Sequence, residues 1–452
     1  MPASENYSTL RNWLVLLLPS LLGVFLFMTP IPAEKGLTIP VAVMANQLKQ
    51  TIGSWMPDVL GIIVTLSAVL TLGMKLLRPT AATTGSFAGR LFAPSWGWVA
   101  VRVLGAIFLL LVLSGQGPEF IISKATGALV LYDLLPVLLC VFVFAGLLLP
   151  LLLNFGLLEM IGTLMTKVMR PVFRLPGRSA VDCIASWIGD GSVGILLTSK
   201  QYEAGFYTAR EAAVIGTTFS AVSVTFCIVV LGQVRLEHMF LPFYATICTA
   251  GLVAAIVLPY LPPLRNKPDT YIDGYDHMRA EGGQFPQKSL FGRALAHGLH
   301  RASQARGFTA TLREGVEAVI DMLFGVLPVI MAVGTTALII AEYTSVFSLL
   351  GAPFVPLLEL LQVPFPEQAA KSVMVGFADM FVPSILVSEV PSEMTRFVIA
   401  ALSVTQLIYM SEVGALLLGS KIPVTLWDLF VLFILRTLIT LPVIALMAHW
   451  LF

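Results

Sequence analysis

The chain has 452 residues, 57% of them hydrophobic and 12% charged, with a formal net charge of +1, whereas an ordinary soluble protein carries roughly 25% charged residues. That composition argues against a soluble globular domain, and the near-neutral charge against a nucleic-acid partner. Four cysteines, Cys140, Cys183, Cys227 and Cys248, sit in apolar segments without CxxC spacing, so a disulfide frame or a zinc site is not expected.

In chain order, apolar runs long enough to span a bilayer, about 20 residues each, fall near 13–28, 58–77, 97–114, 134–155, 211–231, 239–261, 319–341, 395–417 and 427–450. The expectation is nine transmembrane helices. The first run has only Arg11 before it and no small-x-small cleavage site after it, so it reads as a span rather than a signal peptide. The loop 261–317 carries Arg265, Lys267, Arg279, Lys288, Arg293, Arg301, Arg306 and Arg313, which the positive-inside rule places in the cytoplasm. Alternation then puts the N-terminus inside and the C-terminus outside. The count closes only if segments 179–204 and 371–390 do not cross.

Those two segments belong to a repeated order of elements. Residues 133–261 and 319–452 each open on an Asp before an apolar run (Asp133, Asp321), then give an amphipathic stretch and an interrupted apolar segment. Two further spans close each half. In the interrupted segments, "WIGDGSVGILLTSK" aligns with "GFADMFVPSILVSE", matching Asp190 to Asp379, Val193 to Val382, Leu197 to Leu386 and Ser199 to Ser388. Three crossings per half make the halves inverted, a pattern found in secondary transporters. The expected organisation is therefore N-terminal helices over 1–132, a first repeat over 133–261, a cytoplasmic linker over 262–318, and a second, inverted repeat over 319–452.

On either side of residues 189–192 the apolar pieces are about 10 to 12 residues, or about 15 to 18 Å of helix, half a bilayer. Gly, Asp and Ser favour turns and caps, and Asp190 or Ser192 can cap the second half-helix. The segment thus reads as a re-entrant hairpin, and Pro383 fits early in the second half-helix of its partner. Non-helical backbone at that depth needs protein or a water-filled cavity around it, so the two tips are expected to meet near the midplane. Asp190 and Asp379 each have two open roles, capping and contact with a solute or ion, and the two can coexist.

The span after each hairpin carries a polar patch: "GTTFSAVSVTF" with Thr217, Ser220, Ser223 and Thr225, and "SVTQLIYMSEVG" with Gln406, Ser411 and Glu412. Hydroxyl residues there favour a local break, though they also serve as helix-packing glue. A carboxylate within a span is by default a functional hypothesis, which singles out Glu412. Arg436, near the middle of the last run, is expected to be a structural counter-charge more than a ligand, and it is the candidate partner if Glu412 is instead a buried pair. Gly-Asp-Gly-Ser lacks the Gly-Lys-Ser/Thr ending of a phosphate loop, and neither an HExxH motif nor a nucleophile elbow occurs. His297 and His300 lie in "SLFGRALAHGLHRASQARGF", which reads as an interfacial amphipathic helix.

The N-terminal "LLPSLLGVFLFMTPIP" followed by "TIPVAV", the hairpin "WIGDGSVGILLTSKQYEAGFYTAREAA" and the span "GTTFSAVSVTF" resemble the bacterial YjiH-like membrane proteins with nucleoside-recognition gate domains. Those are similar in architecture to concentrative nucleoside transporters. The resemblance implies an all-α polytopic protein of the inner membrane, two inverted repeats with two re-entrant hairpins, and a trimer held by a scaffold domain. It also implies solute binding at Asp190, Ser192, Thr217, Ser220, Ser223, Thr225, Asp379, Gln406, Ser411 and Glu412, and a coupling cation at the first hairpin; as acidic groups expected at midplane depth, Glu412, Asp190 and Asp379 are the expected sites of H⁺ or Na⁺ coupling. The acidic tip departs from the Gln, Asn and Glu set that reads a nucleobase, and suits a donor-rich solute such as an amino acid or small peptide. The expected function is secondary transport of a small polar metabolite, without enzymatic activity, cofactor or bound metal. The alternative is a non-transporting membrane assembly or signalling component.

Overall fold

The computed structural model describes residues 8–452 apart from 30, 34–35, 78–86, 93, 190, 220–221, 223, 273, 275–288 and 306. Asp190, Ser220 and Ser223 therefore lie outside the described residues. Among the described residues, seven helical stretches are long and apolar enough to cross a membrane: Leu10–Met28, Pro40–Leu76, Trp96–Ser114, Glu119–Leu153, Glu237–Tyr260, Thr309–Tyr343 and Leu426–Leu451. The protein is thus a multi-pass membrane protein.

The N-terminal region contributes α1 (Leu10–Met28), α2 (Pro40–Ile52), α3 (Met56–Leu77) and α4 (Trp96–Ser114). Thr9 caps α1, its hydroxyl accepting from the Asn12 amide at 3.2 Å, and Pro40 sits in the first turn of α2, where a missing N–H is harmless. Between α1 and α2 a short antiparallel ribbon pairs Ile31–Ala33 with Gly36–Thr38, a small exception to the all-helical expectation. α4 lies against α14 (Leu327–Tyr343) so closely that a Cβ at Gly105 would sit 2.1 Å from the Pro328 carbonyl oxygen. Small residues at such crossings let van der Waals contact replace the hydrophobic drive that lipid cannot supply. Buried Arg102 ties the layer together by donating to the Thr71 hydroxyl (3.0 Å) and the Leu91 carbonyl (2.8 Å).

Two stretches of similar element order follow. The first runs through α5 (Leu135–Leu148), α6 (Leu157–Phe173), α7 (Ser179–Ile184), α8 (Gly191–Glu203), α9 (Ala209–Val214), α10 (Val224–Gln233) and α11 (Phe240–Val257). After α12 (Leu290–Ser303) and α13 (Phe308–Asp321), the second runs through α14, α15 (Val346–Gly351), α16 (Val355–Leu360), α17 (Pro366–Val375), α18 (Val382–Val387), α19 (Glu393–Gln406), α20 (Val413–Gly419) and α21 (Leu426–Leu451). Both open on the same device: a π-helical turn, Val130–Leu134 or Met322–Val326, feeds a helix that starts Leu-Pro. The closing helices α11 and α21 pack on each other.

The local breaks that the polar patches favour in the spans 211–231 and 395–417 are present in both. The first consists of α9, a π turn over Ile215–Phe219 and α10, and the second of α19 and α20 separated by residues 407–412. The physical reason is the polar patch in each, where hydroxyls compete for helix carbonyls. In both cases the interruption falls within the patch.

Candidate functional site

The segment 179–204 is a helical hairpin. Thr198 donates its hydroxyl to Asp182 Oδ2 (2.9 Å), and a Cβ at Gly194 would lie 2.6 Å from the Cβ of Ser186. Residues 182 with 198, and 186 with 194, are facing pairs of two antiparallel legs. At the open end, Arg178 Nη2 donates to Gln201 Oε1 (2.9 Å) and Nη1 to Glu159 Oε1 (3.1 Å). The guanidinium lies 3.7 Å from the Phe206 ring centroid. Arg178 and Glu159 are both buried, so breaking this pair by removing one partner would strand a charge. The Tyr207 hydroxyl also donates to Asp182 Oδ2 at 2.9 Å, while Oδ1 has no hydrogen-bond partner.

The second hairpin, α17 to α18, is sealed to the break beside it. Asp379 Oδ1 accepts from the Phe381 and Val382 amides at 2.8 and 3.2 Å, and Oδ2 accepts from the Ser411 hydroxyl at 2.8 Å. The Met410 and Ser411 amides donate to the Phe377 and Ala378 carbonyls at 2.8 and 2.9 Å. The unwound strand thereby recovers hydrogen bonds it loses by leaving the helix, as a low-dielectric surrounding demands. The exit is made at Leu407, whose φ of 62° is uncommon for a side chain of that size; such strain costs on the order of 1–3 kcal/mol and clusters at functional sites. Gln406 Nε2 donates to the Val373 carbonyl (3.0 Å) and the Thr437 hydroxyl (2.9 Å). Its Oε1, without a partner, fills the space that glycine leaves at position 376.

In the first break, the Thr217 and Thr218 hydroxyls bond back to the Ala213 and Val214 carbonyls, each at 2.7 Å. Their own carbonyls accept from Arg436 Nη1 at 3.4 and 3.1 Å, while Arg436 Nε donates to the Thr405 carbonyl. Fully buried in α21, Arg436 joins the two breaks. Expected as a structural counter-charge, with Glu412 the candidate partner, it pairs with no carboxylate among the described residues. The correction has a plain electrostatic cause: the carbonyl ends of two interrupted helices already carry partial negative charge.

The remaining expected site residues are distributed around this core. Ser192 is buried in the first turn of α8, Thr225 falls in α10, and Glu412 is half-buried at the N-cap of α20. Asp379, Gln406 and Ser411 come together; Thr217 reaches the same junction through Arg436. The halves also interlock, since a Cβ at Gly216 would sit 2.9 Å from Leu417.

Sequence reasoning missed two polar clusters. One is Glu159, Arg178, Gln201 and Asp182 at the first hairpin. The other lines two adjoining cavities of about 410 and 440 Å³ that share Lys200, Glu203, Glu314 and Ala318. Lys200 Nζ meets Glu203 Oε2 at 3.2 Å and Asp321 Oδ2 at 3.3 Å, spanning the two halves. The available signal was charge at the ends of apolar runs, which the orientation count used only as topology.

Comparison with known proteins adds two findings. A family model for the gate domain, described as nucleoside recognition, matches residues 135–237, from α5 to just beyond α10. An uncharacterized protein, BpOF4_10220, of Alkalihalophilus pseudofirmus is 48% identical over 446 residues, covering 98% of this chain and 96% of that protein.

Proposed function

The chain belongs to the family of its Alkalihalophilus pseudofirmus relative and carries a nucleoside-recognition gate domain; from that premise we propose that it is a secondary transporter of a small polar solute. The observation that carries the reading is the side-chain contact between Arg178 and Gln201. It holds together the two ends of an apolar segment, as a re-entrant hairpin requires and a crossing helix forbids. On this reading α7–α8 and α17–α18 dip into the membrane from opposite faces, within two inverted repeats. Their tips and the two breaks frame the solute path.

The cavities at Lys200 and Asp321 support an entrance on the side of the basic linker 262–318, which the positive-inside rule makes cytoplasmic. Movement of the first hairpin against α13 would make and break that ion pair. Asp190, Ser192, Thr217, Ser220, Ser223, Thr225, Asp379, Gln406, Ser411 and Glu412 are the proposed solute contacts, with H⁺ or Na⁺ coupling at Asp190, Asp379 and Glu412. A nucleoside, an amino acid or a small peptide is the proposed cargo, and a trimer the proposed assembly.

The test is uptake into proteoliposomes holding the purified protein, with a panel of labelled nucleosides, amino acids and dipeptides under Na⁺ and proton gradients. Uptake that Glu412→Gln abolishes supports the reading. The non-transporting alternative has its own support, because Asp379 and Ser411 already satisfy each other. It prevails if no solute moves and Glu412→Gln leaves the cellular phenotype intact.

A further inference from the structure

A third cavity, of about 430 Å³, is almost wholly apolar. Its walls come from Phe173 of α6, Cys183 and Trp187 of the first hairpin, Phe219 of the first break, and Cys248 and Gly251 of α11. It opens sideways from the helix bundle, as Ile184 and Leu252 on its rim are 43% and 48% exposed. In a multi-pass protein such an opening faces lipid.

The charge pattern above it names the occupant. Exposed Lys167 and Arg170 lie one turn apart near the end of α6, and exposed Arg174, with φ 57°, is the residue that caps its C-terminus. Arg174 directly follows Phe173 in the groove wall, and its guanidinium lies 4.2 Å from the Tyr260 ring centroid, at the end of the membrane helix that supplies Cys248 and Gly251. An apolar slot beneath a basic rim at the end of a span complements one molecule: a lipid with an anionic headgroup and an acyl chain.

We propose that this groove binds an anionic glycerophospholipid, with one acyl chain between α6 and α11 and the phosphate at Arg170 and Arg174. The chain end then rests on Trp187, whose indole N–H donates to the Phe219 carbonyl at 3.0 Å. Lipid occupancy is thereby coupled to the turn of the first hairpin and to the first break. This inference needs only that the protein spans a membrane and stands apart from the transport reading.

Two measurements test it on the full-length protein. Native mass spectrometry after exchange into phosphatidylglycerol or phosphatidylcholine should show retained phosphatidylglycerol. Gly251→Phe, whose side chain enters the groove where a Cβ meets only Trp187 at 3.4 Å, should abolish retention. Arg170→Gln with Arg174→Gln should erase the preference over phosphatidylcholine. Should Gly251→Phe fail to fold, the unmutated protein still reports through its thiols. Cys183 and Cys248 are partly exposed in the groove, whereas Cys140 and Cys227 are buried elsewhere. By mass action, saturating phosphatidylglycerol should slow maleimide labelling of the first two at least about threefold and leave the others unchanged. Equal retention of both lipids with unprotected Cys183 and Cys248 overturns the proposal. So does loss of the oligomer, without loss of lipid, in Gly251→Phe, since a second copy would then cover the face.

Discussion

At the scale of single residues, Arg436 stands at the centre of the polar junction because its one side chain serves carbonyls of both broken helices. Arg436→Met should lower the thermal midpoint in detergent strongly, since each stranded buried acceptor costs about 1–3 kcal/mol. Arg436→Lys should rescue little: a point charge cannot reproduce a planar fork with donors to two sites. Asp379 divides its oxygens between a turn onto the Phe381 and Val382 amides that start α18 and the Ser411 hydroxyl. Asp379→Ala removes all three acceptor contacts and should cost about 1–3 kcal/mol, whereas Asp379→Asn keeps one acceptor; chemical denaturation compares them. On the linker helix α12, His297 Nδ1 lies 3.2 Å from the Thr163 hydroxyl. Burial first of all, then the neighbouring His300 and Arg293, hold its pKa below the ordinary histidine value, with Glu159 opposing them. A depressed histidine pKa means that the folded protein favours the neutral ring. Its contribution is complete above the ordinary value near 6.5 and is lost as pH falls through the depressed one. A thermal-shift series from pH 8 to 5 should show falling stability on the acid side, with a shallower fall in His297→Gln.

At the scale of elements, the first hairpin is a close-packed unit whose legs touch at Gly194 and Ser186. Gly194→Leu should force the legs apart and destabilise by about 1–3 kcal/mol, the usual cost of overpacking. The topology has a separate test. Cysteines placed at Lys200 and at Lys167 should react with an impermeant maleimide from the same side of the membrane; reaction from opposite sides would mean that 179–204 crosses. Much of this element was legible in the sequence, because half-length apolar pieces flanking Gly-Asp-Gly-Ser cannot make a clean span. Its stabilising contacts were not, since Glu159–Arg178 and Arg178–Gln201 join residues 19 and 23 positions apart through tertiary packing.

At the scale of the whole molecule, the Lys200–Asp321 ion pair links the first hairpin to the start of the second stretch at the shared cavities, alongside the Lys421 amide that donates to the Ser199 hydroxyl at 3.4 Å. Both side chains are partly exposed, so the pair adds little stability and its consequence is positional. Lys200→Asp and Asp321→Lys should each impair solute flux, and the double reversal should restore it; a rescue absent from the double variant would remove the pair from any gating role. The sequence by itself determined the membrane class, the order of elements in two similar stretches, and the positions of both breaks. All of these depend on local composition: apolar length, turn residues and hydroxyl clusters act within a few positions of one another. Only the tertiary structure decided that Arg436 serves carbonyls instead of Glu412 and that Asp379 is shared between its own hairpin and Ser411. It also decided that two cavities adjoin at Lys200, Glu203 and Glu314. Partners separated by 219 positions, as Arg436 and Thr217 are, are chosen by which buried groups come within hydrogen-bonding reach once the helices cross.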